Sequence, residues 1–214
     1  MNYIEINKQA YDRAAEEYLE RAKNKSNFEE PLENLVGTPL RLAKQRFDKI
    51  NVLEIGPGSG EVCAYLELKG CQTTAVDFSE RILGVVKIIS PKTKRINEDI
   101  LQSELPEDKY QIIYCGALIH LFKKEDAERL MKKINKSLSK KGILFMNTTI
   151  HEKSDEGFYE KQDYQSRVKR FRHKYTEEEF RELIESSNFR ILDRITTDEQ
   201  NREKFWVAYI SEKQ

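Results

Sequence analysis

Apolar positions along this chain switch period repeatedly. In "YDRAAEEYLERAK", Tyr11, Ala14, Ala15 and Tyr18 recur at i, i+3, i+4 and i+7, the stripe of an amphipathic helix. "TPLRLAKQRF" predicts a second helix, with Thr38 as its cap and Pro39 at the first helical position. "INVLEI" is short, apolar and β-branched at intervals, which predicts a buried strand. Glu61 to Lys69 reads as the next helix, stopped by Gly70, and "CQTTAVD" as the next strand. Ser79 then caps "ERILGVVKII". "KRINEDI" is a weaker strand, "YQIIYCGA" a strong one, "KKEDAERLMKKINKSL" a helix and "KGILFMNTTI" another strong strand. Such alternation implies right-handed crossovers and a mostly parallel sheet with helices on both faces, a doubly wound α/β fold.

The last third changes character. "TEEEFRELIESSNF" carries a capping box, Thr176 with Glu179, on a helix whose core stripe includes Phe180, Leu183 and Ile184. "RILDRITT" and "KFWVAYIS", separated by the polar "DEQNRE", predict an antiparallel hairpin at the sheet's end and bring the strands to seven. Residues 148–175 show no clean period, and an irregular connection of that length inside a compact domain is functional or mobile. It is expected to be a lid over a small-molecule pocket, with Phe158, Tyr159, Tyr164 and Phe171 facing partly inward. One domain is expected over 1–214, with the helices of 1–48 helping to cover the site.

Composition narrows the partners. With 37 basic and 37 acidic side chains the net charge is zero, so nothing global recruits nucleic acid or an anionic membrane. No apolar run approaches the roughly 18 residues of a membrane span, and the N-terminus lacks the apolar core of a secretory signal. Cys63, Cys71 and Cys115 are too few and scattered for a disulfide framework or a metal cluster, so a reducing, cytoplasmic setting is expected, without a metal. Oligomeric state has no signature here.

"VLEIGPGSGEV", Val52 to Val62, raises the question of chemistry. Glycines behind a buried strand let the chain bend sharply and let a ligand approach bare backbone. A dinucleotide fingerprint needs a further glycine three positions after Gly58, and that position is Glu61, an acid that would repel phosphate. No Gly-Lys-Ser/Thr follows, which removes the Walker alternative. A ligand without phosphate is favoured.

These residues, with three further motifs, resemble the class I S-adenosylmethionine-dependent methyltransferases. "VLEIGPGSG" looks like their first motif, Asp77 ends the second strand, "NEDI" follows the third, and "YCGALIHLF" lies at and beyond the fourth. The similarity spans most of Ile50 to Ile210, and "YDRAAEEY" is similar to a helix common just upstream in small-molecule members. The resemblance implies a Rossmann-like fold, S-adenosylmethionine as cofactor and a set of contacts. Asp77, about 20 residues past the glycine turn, would accept both ribose hydroxyls, its plainer role being a turn acid ahead of Ser79. Phe78 would cover one face of adenine or make an ordinary apolar contact. Asp99 would receive the adenine amino group, with the Ile100 backbone at a ring nitrogen, or sit in a surface turn.

Gly56, Gly58 and Gly60 would let backbone approach the methionine and ribose portions. Glu54 would hold the methionine amino group, or else pair with a protein cation, since a lone acid in a buried strand is costly. Cys115, Gly116 and Ala117 would offer backbone oxygens to the same ammonium, Cys115 serving as a small apolar lining residue because nothing marks its thiol as activated. Tyr11 and Tyr18 would turn ring faces to the sulfonium or belong to the core. Arg41 would pair the methionine carboxylate or remain solvated.

Methyl transfer is an in-line displacement that needs a base only if the acceptor keeps its proton. His120, just past the fourth strand, is the candidate base, its plainer role being a helix-start residue bonded to backbone. Tyr159, His173 and Tyr175 are candidate substrate contacts. After the fourth strand the chain reads Cys115-Gly116-Ala117-Leu118, not the Asn/Asp-Pro-Pro-Tyr/Phe of amino-methylating nucleic-acid enzymes, and the Pro-Cys of cytosine methylation is missing. Asn147 alone cannot hold magnesium. The basic run "RVKRFRHK", Arg167 to Lys174, could grip phosphate, although the acids between Asp155 and Asp163 dilute its field. The reading is an O- or N-methyltransferase of a small molecule. An RNA or protein methyltransferase and a non-catalytic binder with this fold are the alternatives.

Overall fold

The structure is a computed structural model that describes residues 2–24, 29–160, 169–199 and 204–214. Seven strands form its main sheet: β1 (Asn51–Ile55), β2 (Gln72–Asp77), β3 (Lys94–Asn97), β4 (Tyr110–Gly116), β5 (Leu138–Ile150), β8 (Phe189–Glu199) and β9 (Lys204–Lys213). Their order is β3-β2-β1-β4-β5-β9-β8, with the first five parallel and the β9-β8 hairpin antiparallel at one end. The expected doubly wound sheet and terminal hairpin are present.

Period-two alternation sorts the strands into two cores. Leu53, Ile55, Ile113, Cys115, Leu144 and Met146 face helices α5 (Lys124–Ser137) and α6 (Glu177–Glu185), whose Leu130, Ile134, Phe180 and Ile184 are fully covered. Val52, Ile112, Tyr114, Ile143 and Phe145 face α2 (Glu29–Lys44) and α3 (Glu61–Leu68) through Val36, Leu40, Tyr65 and Leu66. Burial on both faces explains why these strands read as nearly continuous apolar runs. Glu54 interrupts the run on the α3 side. Ser79 caps α4 (Glu80–Ile89) by accepting from Ile82 N–H at 3.1 Å, and the Thr176–Glu179 capping box is formed.

Three elements differ from expectation. The first helix, α1 (Tyr3–Asn24), begins about two turns before Tyr11. Helix α2 starts at Glu29, so Thr38 is not its cap and Pro39 lies inside it. Leu32, Leu35, Val36, Leu40 and Ala43 continue one stripe on the second core, and that burial overrides the local proline signal. The described part of residues 148–175 is regular: after β5, β6 (Asp155–Glu160) pairs antiparallel with β7 (Lys169–Lys174), Phe158 opposite Phe171. Charged residues stand on both faces of the ribbon, buried Arg170 among them, and hid its alternation. Tyr164 and Arg167 lie outside the described residues. Among the described residues, no helix is long and apolar enough to cross a membrane.

Candidate active site

Strand order reverses between β1 and β4, where the connections leaving the two strands diverge and open a crevice at their carboxyl ends. A cavity of about 320 Å³ lies there. Its floor is the turn after β1, with Gly56, Pro57 and Gly58, and the end of β4, with Gly116 and Ala117. Asp77, Phe78, Glu98, Asp99 and Ile100 line one side. Helix α1 forms the roof through Tyr3, Ile4, Asn7, Tyr11 and Tyr18. Tyr3, Asn7, Tyr11 and Tyr18 fall on one helical face, at i, i+4, i+8 and i+15.

The glycine turn is shaped for close approach. Gly58 has φ +52°, and a Cβ built there would lie 3.2 Å from Cε1 of Tyr18, so that ring rests directly on the turn. Across the floor, Ala117 also adopts a left-handed conformation, φ 52°, and its N–H donates to Asn147 Oδ1 at 2.7 Å. Strained backbone pinned by a side chain is a recurrent feature of ligand sites.

Two acids carry the electrostatics. Glu54 is 4% exposed, and burial raises its carboxyl to about 8. Its Oε2 accepts from Cys63 Sγ at 2.8 Å, and no lysine or arginine pairs with it among the described residues. Asp77 is partly buried, and loss of water raises its carboxyl to about 7 although Ser79 N–H donates to Oδ1 at 2.8 Å. Asp99 accepts from Leu101 N–H at 3.0 Å, so it holds its own turn while lining the cavity. Glu54, Asp77, Glu98 and Asp99 line the wall together, and no lysine, arginine or histidine does so among the described residues. Such a wall favours a cationic ligand. Glu61, at the start of α3, accepts from Ser59 Oγ at 2.7 Å.

Helix α1 is fastened over the cavity by polar contacts. Asn7, 2% exposed, donates from Nδ2 to Leu121 O at 3.1 Å and accepts Phe171 N–H at 2.7 Å. Both functions of a buried amide are thereby satisfied. Tyr3 hydroxyl donates to Asp126 Oδ2 at 2.5 Å, and Ser79 Oγ donates to Asp12 Oδ1 at 2.5 Å. Tyr3, Ile4, Asn7, Tyr114 and Asn147 were missed as lining residues in the sequence. A polar residue at Asn7 broke the apolar stripe that would have extended α1 to Tyr3.

Tyr11, Tyr18, Glu54, Gly56, Gly58, Asp77, Phe78, Asp99, Ile100, Gly116 and Ala117 are brought together around this one cavity. Other expected contacts stand elsewhere. Gly60, φ +77°, starts α3, and a Cβ there would lie 3.2 Å from the Val86 Cα, so its bareness serves the approach of α3 to α4. Cys115 lies inside the α5 core, where burial pushes its thiol up. His120, 2% exposed in the 3-10 turn Ile119–Leu121, places Nδ1 3.1 Å from Thr148 Oγ1 and its ring edge-on to Trp206, and is not among the residues that line the cavity.

The substrate candidates are displaced in the same way. Tyr159 donates to Asp155 and lies under Lys174 Nζ, 4.1 Å from its ring centre. His173 and Tyr175 stack on each other at 4.1 Å, Tyr175 within the α5 core and His173 lowered by burial. Arg41 is exposed and donates to Thr38 Oγ1 at 3.0 Å.

Comparison with known proteins agrees with this geometry. The chain is 31% identical over 149 residues to a phosphoethanolamine N-methyltransferase of Plasmodium falciparum, a match that spans 65% of this chain and 53%, about half, of that protein. In three dimensions it resembles the Burkholderia thailandensis 1,6-didemethyltoxoflavin-N1-methyltransferase, TM-score 0.75 at 14% identity over 99% of this chain and 89% of the other. It also resembles the magnesium protoporphyrin IX methyltransferase of Synechocystis PCC 6803, TM-score 0.71 at 13% identity over 100% and 98%. At such identities the structural likeness is one of fold. Residues 28–194 match the model of the methyltransferase domain, and the chain belongs to that family, the class I S-adenosylmethionine-dependent methyltransferases that its motifs resemble.

Proposed function

We propose that this protein transfers a methyl group from S-adenosylmethionine to a nitrogen or oxygen atom of a small-molecule acceptor. The observation that carries the reading is a pair of cavity acids, Glu54 and Asp77, both raised by burial and neither paired with a protein cation among the described residues. The donor set fits the group. An ammonium would meet Glu54, a ribose diol would donate to Asp77, and an exocyclic amine would donate to Asp99, over a floor of bare backbone. The relatives named above support a small-molecule acceptor.

Bound there, the cofactor supplies an electrophilic methyl on a sulfonium whose charge is lost on transfer. The chain's own part is alignment and exclusion of water. Tyr11 and Tyr18, ring centres 6.3 Å apart, line the cavity, Tyr18 on the glycine turn, where their faces can stabilise a cation. Helix α1, fastened at Asn7 and Asp12, covers the cavity, and the β6-β7 ribbon backs that helix at Phe171. These contacts support a covering role for α1 and for the β6-β7 ribbon, whereas α2 packs on the second core. With no histidine or lysine in the described lining, an amine that arrives neutral suits the site better than an alcohol that must lose a proton.

Incubation of the chain with methyl-labelled S-adenosylmethionine and a pool of small metabolites tests the reading. Label is expected in a small-molecule fraction, with nitrogen acceptors foremost. Label in RNA or protein would move the acceptor class, and binding without any transfer would make the chain a binder.

A further inference from the structure

One buried cation stands beside the cavity and takes no part in the proposed cofactor contacts. Arg170, on β7, is 6% exposed. Its Nη1 lies 3.4 Å from the Tyr11 hydroxyl, and its guanidinium carbon lies 5.9 Å from the centre of the same ring. No carboxylate among the described residues lies within ion-pair distance of it. A buried guanidinium is costly unless paired, and it carries five donors in a fork that matches carboxylate or phosphate. The Tyr11 hydroxyl and ring face are its contacts among the described residues, and neither supplies a countercharge.

We infer that Arg170 anchors an oxyanion, phosphate or carboxylate, carried by the methyl acceptor at the α1-β7 side of the cavity. The inference rests on the methyltransferase reading and names the class of its substrate, an amine with an anionic end. Tyr11 is the link: its side chain lines the cavity and its hydroxyl touches the guanidinium, so an acceptor that reaches this hydroxyl comes within reach of the fork. Charge sets the acceptor's direction. The described wall holds Glu54, Asp77, Glu98 and Asp99 and no cation, so nothing along it pairs an anionic group, which is matched only beyond Tyr11. Tyr11 is shared between the two ligands, its ring face turned to the cavity and its hydroxyl to the guanidinium. Tyr18, which rests on Gly58, has its ring centre 6.3 Å from that of Tyr11, and Arg170 touches only Tyr11 of the two.

Matched acceptor pairs test the inference. The chain saturated with S-adenosylhomocysteine is titrated by calorimetry with phosphoethanolamine against ethanolamine and with β-alanine against propylamine, in wild type, Arg170→Gln and Arg170→Lys. At least one anionic member is expected to bind about tenfold or more tighter than its neutral partner in wild type, an advantage that shrinks with added salt. Arg170→Gln removes the advantage, Arg170→Lys keeps part of it because charge remains without the fork, and S-adenosylhomocysteine affinity is unchanged in both. Wild type without an anionic preference in either pair overturns the inference, and that measurement does not depend on how the variants fold. A loss of S-adenosylhomocysteine affinity in Arg170→Gln as large as its loss of the anionic amine also overturns it, by assigning the guanidinium to the cofactor's own carboxylate. Failure of wild type to bind S-adenosylhomocysteine overturns the methyltransferase reading and the inference with it, whereas intact binding without anionic preference overturns the inference alone.

Discussion

Replacing Glu54 by glutamine isolates a charge that the cavity holds back. In the free chain the carboxyl sits at about 8, so at pH 7 only about one tenth of it is ionised. An ammonium seated against it favours the ionised form, and a return to the ordinary 4.5 would expel about 0.9 proton per ligand at pH 7. Glutamine has no proton to expel. Asp77, at about 7, is one of the charges that raise Glu54, so it also titrates differently in the variant, and the difference between the two proteins counts the pair.

The assay is titration with S-adenosylhomocysteine at pH 7 in two buffers of different ionisation enthalpy, where the slope of heat against that enthalpy counts protons. Wild type is expected to release more protons than Glu54→Gln, by up to about one, and its affinity to rise with pH toward 8 more steeply than the variant's. Equal slopes would refute the placement of a cation at Glu54. The sign for stability follows from the same shift. The neutral carboxyl's contribution is whole below 4.5, where folded and unfolded chains are both protonated, and it is lost as the pH rises toward 8, because unfolding then lets the acid ionise. At pH 7 that loss amounts to no more than about 3 kcal/mol, so unliganded Glu54→Gln gains on wild type between pH 4.5 and 8 and not below.

Other substitutions separate binding from folding. Asp77→Asn keeps shape and removes charge, so S-adenosylhomocysteine affinity should fall about 10- to 100-fold; wild type at about 100 times its Kd gains roughly 2.7 kcal/mol in thermal unfolding and the variant far less. Gly60→Ala forces a side chain into φ +77° against the Val86 backbone and should cost about 1–2 kcal/mol or more in urea unfolding without any ligand; a neutral result would contradict the packing role. His120→Ala should lower stability while leaving the pH profile of kcat unchanged, and a fall of about 100-fold in kcat at intact fold would return His120 to the mechanism. Asn7→Leu leaves Leu121 C=O and Phe171 N–H without their partner, which should cost about 2 kcal/mol or more and speed hydrogen exchange along α1.

Much of the fold was legible because burial leaves a periodic trace. Strands β1, β4 and β5 are covered on both faces and read as apolar runs, the Ser79 and Thr176 caps announce their helices, and Glu54 stands out as a lone acid in such a run. The extent of α2 was not legible, because proline at position 39 signals a helix start that packing against the second core overrides. Nor was the β6-β7 ribbon, whose charges on both faces mask its alternation.

Read alone, the chain determines a doubly wound α/β architecture, a glycine turn that admits bare backbone contact, and an acid at the end of β2 in register with it. Those features are local: each depends on period, turn chemistry or the spacing of neighbouring elements. Only the tertiary structure decided that Asn7 clamps α1 to Leu121 and Phe171, that His120 turns to Thr148, and that Arg170 meets Tyr11 across 159 positions of sequence. Periodicity records which face of an element is covered; what covers it, and which buried cation ends beside which cavity, is set by how distant elements pack.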